Sequence, residues 1–115
     1  MATFTAVPIS GAADGLAVKV AATSTAGTTI HTAHTTSTDE VWLWAYNSHT
    51  ADVVLTLEWG GATAPDQNIK VTIPFQAGAV AVAPGWRLTN SLVVKAFAGT
   101  TNVITLTGYV NRITN

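Results

Sequence analysis

Asp39-Glu40-Val41-Trp42-Leu43-Trp44-Ala45-Tyr46-Asn47-Ser48-His49-Thr50-Ala51-Asp52-Val53-Val54-Leu55-Thr56-Leu57-Glu58-Trp59-Gly60-Gly61 is the stretch on which the fold turns, and its spacing predicts a β-hairpin of two long apolar strands. Side chains alternate along a strand, so Val41, Leu43 and Ala45 share one face of the first arm while Trp42, Trp44 and Tyr46 share the other. Both faces of that arm are apolar. An antiparallel strand with one wet face alternates with polar residues, so this pattern predicts a cover on each side: the core on one, a second partner on the other. In the second arm Val53, Leu55, Leu57 and Trp59 line one face against Val54, Thr56 and Glu58, the pattern of a strand with a single core face. The connection from Asn47 to Asp52 is too long for a two-residue primed turn and suits a loop of about four to six residues.

Outward from this centre the chain reads as further short strands. Leu16 to Ala22 alternates Leu16, Val18 and Val20 with smaller or charged residues, and Thr28 to Ala33 follows a turn at Gly27. Past the Pro65 loop come Ile69, Val71 and Ile73, stopped by Pro74. A short run from Gly78 to Ala83 is closed by Pro84-Gly85, since proline cannot donate to a central ladder. Leu92 to Phe97 and Val103 to Ile113 complete the set, the last with a polar stripe of Thr105, Thr107 and Asn111. No segment of ten or more residues has helical period. Eight short strands between Gly, Pro, Asn and Thr turns predict an all-β antiparallel sandwich, possible as a jelly roll, with a closed barrel as the alternative. Residues 1–15, with Pro8, Gly11 and Gly15 among small residues, read as an extended N-terminal arm of the kind a neighbour orders, and 16–115 as a single domain.

Composition narrows the function classes. The 115 residues suffice for one core, and 48% are hydrophobic while only 10% are charged, against about 25% in an average soluble domain. Spread over a folded surface of about 6,000 Å², this leaves roughly one charge per 500 Å², which calls for hydroxyls and amides or for a partner. Lys19, Lys70, Arg87, Lys95 and Arg112 are scattered and the formal net charge is −1, so there is no electrostatic footprint for nucleic acid. The absence of cysteine rules out disulfides and thiolate metal sites. With no basic segment leading an apolar run and no long apolar run, the sequence predicts neither a signal peptide nor a membrane span.

The residues of catalysis are present without their arrangement. His31 and His34 are three apart, which on a strand sends them to opposite sides, so a metal site with His49 or Asp52 is not expected, nor is any cofactor. These histidines read as solvent or interface residues in Thr-rich loops. Ser48, His49 and Asp52 hold the types of a nucleophilic triad, but neighbours in one short loop diverge and no nucleophile elbow surrounds them. Asp14, Asp39, Glu40, Asp52, Glu58 and Asp66 fall mainly at expected turns or strand ends, and adjacent Asp39 and Glu40 point apart. Gly60-Gly61 and Gly85 lack phosphate-loop context. No catalytic residue is assigned, and the chain is read as a non-enzyme. Among the four tryptophans, Trp59 goes to the core with Leu55 and Leu57, while Trp42 and Trp44 with Tyr46, and Trp86 in the Pro-Gly turn, are the candidate oligomer or partner interface. A sugar-stacking platform is the competing use for such rings.

Two stretches carry a family likeness: Asp39 to Asn47 with its continuation to Glu58-Trp59-Gly60-Gly61, and Asn90-Ser91-Leu92-Val93-Val94-Lys95-Ala96-Phe97-Ala98 through Thr107-Gly108-Tyr109-Val110-Asn111-Arg112-Ile113. Across about the C-terminal two-thirds, the chain resembles small virion structural proteins of tailed bacteriophages, of the head decoration or cement type. That resemblance implies a β-sandwich that forms homo-oligomers, commonly trimers. It also implies binding to the major capsid protein or another virion protein, a mechanical role, and a location in the virion after assembly in the host cytoplasm. Neck, tail and fibre components share the texture, and a carbohydrate-binding module is the reading from another class. The apolar outer strand and the arm suit a lattice component: burying about 800 Å² of apolar surface per subunit is worth roughly 20 kcal/mol before association and ordering costs.

Overall fold

The structure is a computed structural model that describes residues 2–63 and 65–115. Among the described residues the strands are β1 (Thr3–Pro8), β2 (Val18–Lys19), β3 (Thr28–Thr32), β4 (Thr38–Asn47), β5 (Val53–Trp59), β6 (Asn68–Ile73), β7 (Val80–Leu88), β8 (Val93–Ala98) and β9 (Ile104–Thr114). They form two antiparallel sheets packed as a sandwich. Sheet A runs β1-β9-β4-β7, with β2 also paired to β9, and sheet B runs β3-β8-β5-β6. The strand beyond the expected eight is β1, which arises within the N-terminal arm and pairs with β9 from Thr3↔Thr114 to Pro8↔Tyr109.

The core follows the alternation of the sequence. Val41, Leu43 and Ala45 of β4 and Leu106 and Val110 of β9 face Leu55 and Leu57 of β5 and Val94, Ala96 and Ala98 of β8, all fully buried. Small alanines on β8 and branched leucines on β5 fill the gap between the sheets together, which is how close-packed interiors avoid voids.

The expected hairpin is not one. β4 lies between β9 and β7, whereas β5 lies between β6 and β8, so the two arms belong to opposite sheets. Each arm has an apolar face long enough to be the central strand of its own sheet, and stacked face to face they bury those faces against one another. The corner between them is built on Asn47. This residue is fully buried, its amide donates to Ala51 O at 3.0 Å and Ile73 O at 2.8 Å, and its Oδ1 accepts the His49 N–H at 2.8 Å.

Two other boundaries differ from expectation. The strand expected over Leu16 to Ala22 is regular only at Val18–Lys19, although Val20 is buried beyond it. Pro84-Gly85 does not end a strand: β7 continues through it to Leu88. β7 is an edge strand, where a missing N–H costs no ladder bond, and the register slips there from Val41↔Trp86 to Trp42↔Pro84. Gly85 is the extra residue of that bulge. Its φ is +84°, and a Cβ there would lie 2.7 Å from the Trp42 ring, so glycine satisfies both the backbone and the aromatic ring above it.

Asn47→Ala removes three hydrogen bonds from the sheet-switching corner, and the expected loss is about 2–4 kcal/mol of unfolding free energy at about 1 kcal/mol per buried bond. Urea denaturation of the variant measures it. A loss within about 0.5 kcal/mol, the range of an ordinary surface change, would show that the corner holds without the side chain.

Candidate functional site

The outer face of sheet A is formed by alternate residues of β4 and β9. Across these strands Glu40 lies opposite Asn111, Trp42 opposite Tyr109, Trp44 opposite Thr107 and Tyr46 opposite Thr105. Trp42, Trp44 and Tyr109 hold their rings within 11–25° of parallel, with centroid separations of 6.2, 6.2 and 6.5 Å. Three nearly equal separations describe a triangle, since a single column of rings would make one separation twice the others. The rings therefore form a three-membered, near-parallel cluster, a tile of the sheet surface and not a single column. Trp42 and Trp44 are half-buried, Tyr109 and Tyr46 are exposed, and Trp42 Nε1–H donates to Glu40 Oε1 at 3.0 Å. Glu40 also accepts from Arg87 at 3.3 Å on the open edge of the tile.

Trp86 sits apart from this tile. It lies opposite inward-facing Val41, within β7 instead of a turn, and meets Trp59 of the other sheet edge-on at 5.5 Å. Trp59 is half-buried against the core, so the two rings close one flank of the sandwich.

The outer face of sheet B is treated differently. Residues 22–27 cross it: Ala22 O accepts the Ala98 N–H at 3.0 Å, and Glu58 accepts the Thr25 hydroxyl and, at 2.6 Å, the Gly27 N–H. Glu58 is consequently buried within β5. Beside this crossing a cavity of about 280 Å³ opens between Ala26, Gly60, Leu92, Val93 and Lys95, with the spent Glu58 carboxylate at its wall. The chain thus covers the Thr56–Glu58 part of one sheet itself, leaving Val54, Lys70 and Thr72 exposed beyond it, and leaves the aromatic face of the other sheet open.

Beneath the aromatic face lies a polar cluster. Asp39, fully buried, accepts from Arg112 Nε at 2.7 Å and from the second Arg112 nitrogen at 3.0 Å, from His31 Nε2 at 2.7 Å, and from the His34 backbone N–H at 3.2 Å. The Ser10 N–H donates to His31 Nδ1 at 3.0 Å, and because a backbone N–H only donates, this assigns the ring proton to Nε2. Burial pushes the Asp39 carboxyl up, but the hydrogen bonds from Arg112 and His31 and the guanidinium charge outweigh it and hold the group below its ordinary range. Asp39 in return raises Arg112. His31 is accordingly a buried structural residue, not the loop histidine expected, while Asp39 and Glu58 lie near strand ends as expected but are buried with partners.

The remaining candidates of the sequence do not converge. The Ser48 hydroxyl donates to Val103 O, Asp52 Oδ1 accepts the Phe75 N–H, and His49 is bound through its backbone to Asn47. His34 turns its Nδ1 to the N–H groups of Thr36 and Ser37. Among the described residues no three His, Asp or Glu side chains gather as metal ligands. No family model, curated protein or solved structure matches the chain.

Because the folded Asp39 holds its proton less tightly than the unfolded carboxyl, at about 3.9, the cluster stabilises the fold fully above that value and loses its contribution as the pH falls through the folded one. Asp39→Asn is expected to cost about 3 kcal/mol, the low end for breaking a buried pair because Arg112 still reaches solvent, and to flatten the acid limb of stability between about pH 5 and pH 2. Denaturant unfolding across that range checks both. An unchanged acid limb would assign it to other carboxylates.

Proposed function

We propose that the chain is a non-enzymatic virion structural protein, a homo-oligomer of the head decoration type that reinforces the shell of a tailed phage, and that the outer face of sheet A is the surface it buries against neighbouring protein. The observation that carries this reading is the contrast between the two sheets. Sheet B is crossed near Glu58 by residues 22–27 of its own chain, while sheet A leaves Tyr46 39% and Tyr109 44% exposed with Trp42 and Trp44 partly open between them. Large rigid aromatic rings with few lost rotamers are what stable interfaces place at their centre.

The connectivity supports the finer fold assignment that goes with it. After β2, the strands fall in the order β3 in sheet B, β4 in A, β5 and β6 in B, β7 in A, β8 in B and β9 in A, the alternation of two Greek keys wound into a jelly roll. Jelly rolls serve as viral capsid and lectin domains, so this topology suits a shell component without selecting it over a sugar binder. For the second use there is one specific observation: Glu40, Arg87, Thr107 and Asn111 stand beside the tiled rings, as hydroxyl-binding groups stand beside a stacking platform.

The double variant Trp42→Ser/Trp44→Ser is expected to break the oligomer into smaller units whose chains stay folded, read by light scattering with circular dichroism as the control for folding. An oligomer unchanged in mass would overturn the assignment of this face. A glycan-array signal for the parent protein that the same variant loses would favour the lectin reading.

A further inference from the structure

A sandwich has four edge strands, and each offers a row of backbone donors and acceptors to any other strand unless something blocks it. In this protein three of the four are blocked. β7 carries Pro84, two slips of register and Arg87. β6 carries Lys70 and runs into Pro74. β3 has a register shift between Thr29 and His31, and its outer side is occupied by its own chain: the Gly11 N–H donates to Ile30 O at 2.8 Å, and the Thr32 N–H donates to Ser10 Oγ at 2.8 Å.

β1 has none of these devices. Its sequence Thr-Phe-Thr-Ala-Val-Pro holds no charge, its pairing with β9 is unbroken through six residues, and its one proline is the last of them. Phe4 is 61% exposed on this strand, in line with Ile113 on the outer face of sheet A. Little in the core depends on β1 either, as only Val7 is even half-buried.

We infer that the free edge of β1 pairs antiparallel with β1 of a second copy about a twofold axis, joining two A sheets into one continuous sheet. A second copy fits because the strand is its own complement. It matches itself in length, brings no like charges together, and sets exposed apolar side chains, Phe4 foremost, against their own kind. With the axis perpendicular to the sheet, side chains keep their sides across the new pair, so both aromatic faces come to lie on the same surface of the dimer. The contact is separate from the tile of Trp42 and Trp44 and does not rest on the virion reading.

The geometry dictates the test. A twofold axis of this kind places a single β1 residue opposite its own copy, with its neighbours paired to different positions. The chain has no cysteine, so single variants Phe4→Cys, Thr5→Cys, Ala6→Cys and Val7→Cys of the full protein report on that contact alone under mild oxidation. Disulfide-linked dimers are expected to peak sharply at one of the four positions, and Thr5→Lys, a charge on the edge, is expected to lower the dimer fraction in sedimentation of the otherwise native protein. No covalent dimer at any position, or equal yields at all four, as random collision gives, would overturn the pairing.

Discussion

A carboxylate with no water around it has to be compensated by the protein that buried it, and the architecture here is arranged around one such group. Asp39 sits near the start of β4, an inner strand of sheet A. Its partners come from β9 of the same sheet through Arg112, from β3 of the opposite sheet through His31, and, by way of the His31 ring, from the segment after β1 through Ser10. Removing any one partner leaves the others with an unpaired buried charge or donor. The cluster therefore fixes the relation between sheets that apolar packing alone leaves adjustable. It also sets where the arm begins: Ser10 is held to the ring, Ile9 before it is buried, and the strand before Ile9 hangs from β9 by backbone bonds.

The Asn47 corner does for connectivity what Asp39 does for packing. A chain leaving one sheet for the other exposes backbone groups at the bend, and the Asn47 side chain meets two of them, at His49 and Ala51, and ties the bend to Ile73 O at the end of β6. Both residues lie in phase with Val41, Leu43 and Ala45 on the core-facing side of β4. A single strand thus carries a polar anchor at each end of its buried face, one holding the sheets together and the other turning the chain between them.

The same strand shows how far the residues alone specify the fold and where they stop. Alternation places the core face of β4 and β5, and the turns separate the strands, because both are local properties of the chain. Whether two successive strands pair side by side or stack face to face is not local: both arrangements bury the same alternate residues, and the difference lies in the hydrogen bonds of the corner. Pro84 misled for a related reason, since its effect depends on whether β7 is an edge. The polar cluster joins positions separated by 8 and 73 residues, a distance at which no spacing rule operates. A usable signal was nevertheless present in the phase of Asp39: an acidic residue in step with the core face of an apolar strand calls for a buried cation. Tyr109 was legible in the same way only once β9 was known to lie beside β4, because a ring five strands later in sequence joins Trp42 and Trp44 through register alone.

The scarcity of charge takes on a sharper meaning when the charges are placed. Asp39, Glu40, Arg87 and Arg112 pair with one another and Glu58 is folded under residues 22–27, so five of the eleven charged side chains are spent inside the molecule. On the outer face of sheet A, Glu40 and Arg87 neutralise each other at the border of the tile. The ring-bearing centre of the face then offers no charge of its own, only rings, methyls, hydroxyls and the Asn111 amide, and among the described residues the one charge outside the Glu40–Arg87 pair is Lys19 of β2, in register with Thr105 at the far border. Like-charge repulsion is the ordinary protection of an exposed apolar patch, and here it is withdrawn where the apolar surface is richest. Such a face is unfavourable for a free monomer and favourable once covered, because a partner settling on the rings strips water from no charge there and the charged groups stand at the border.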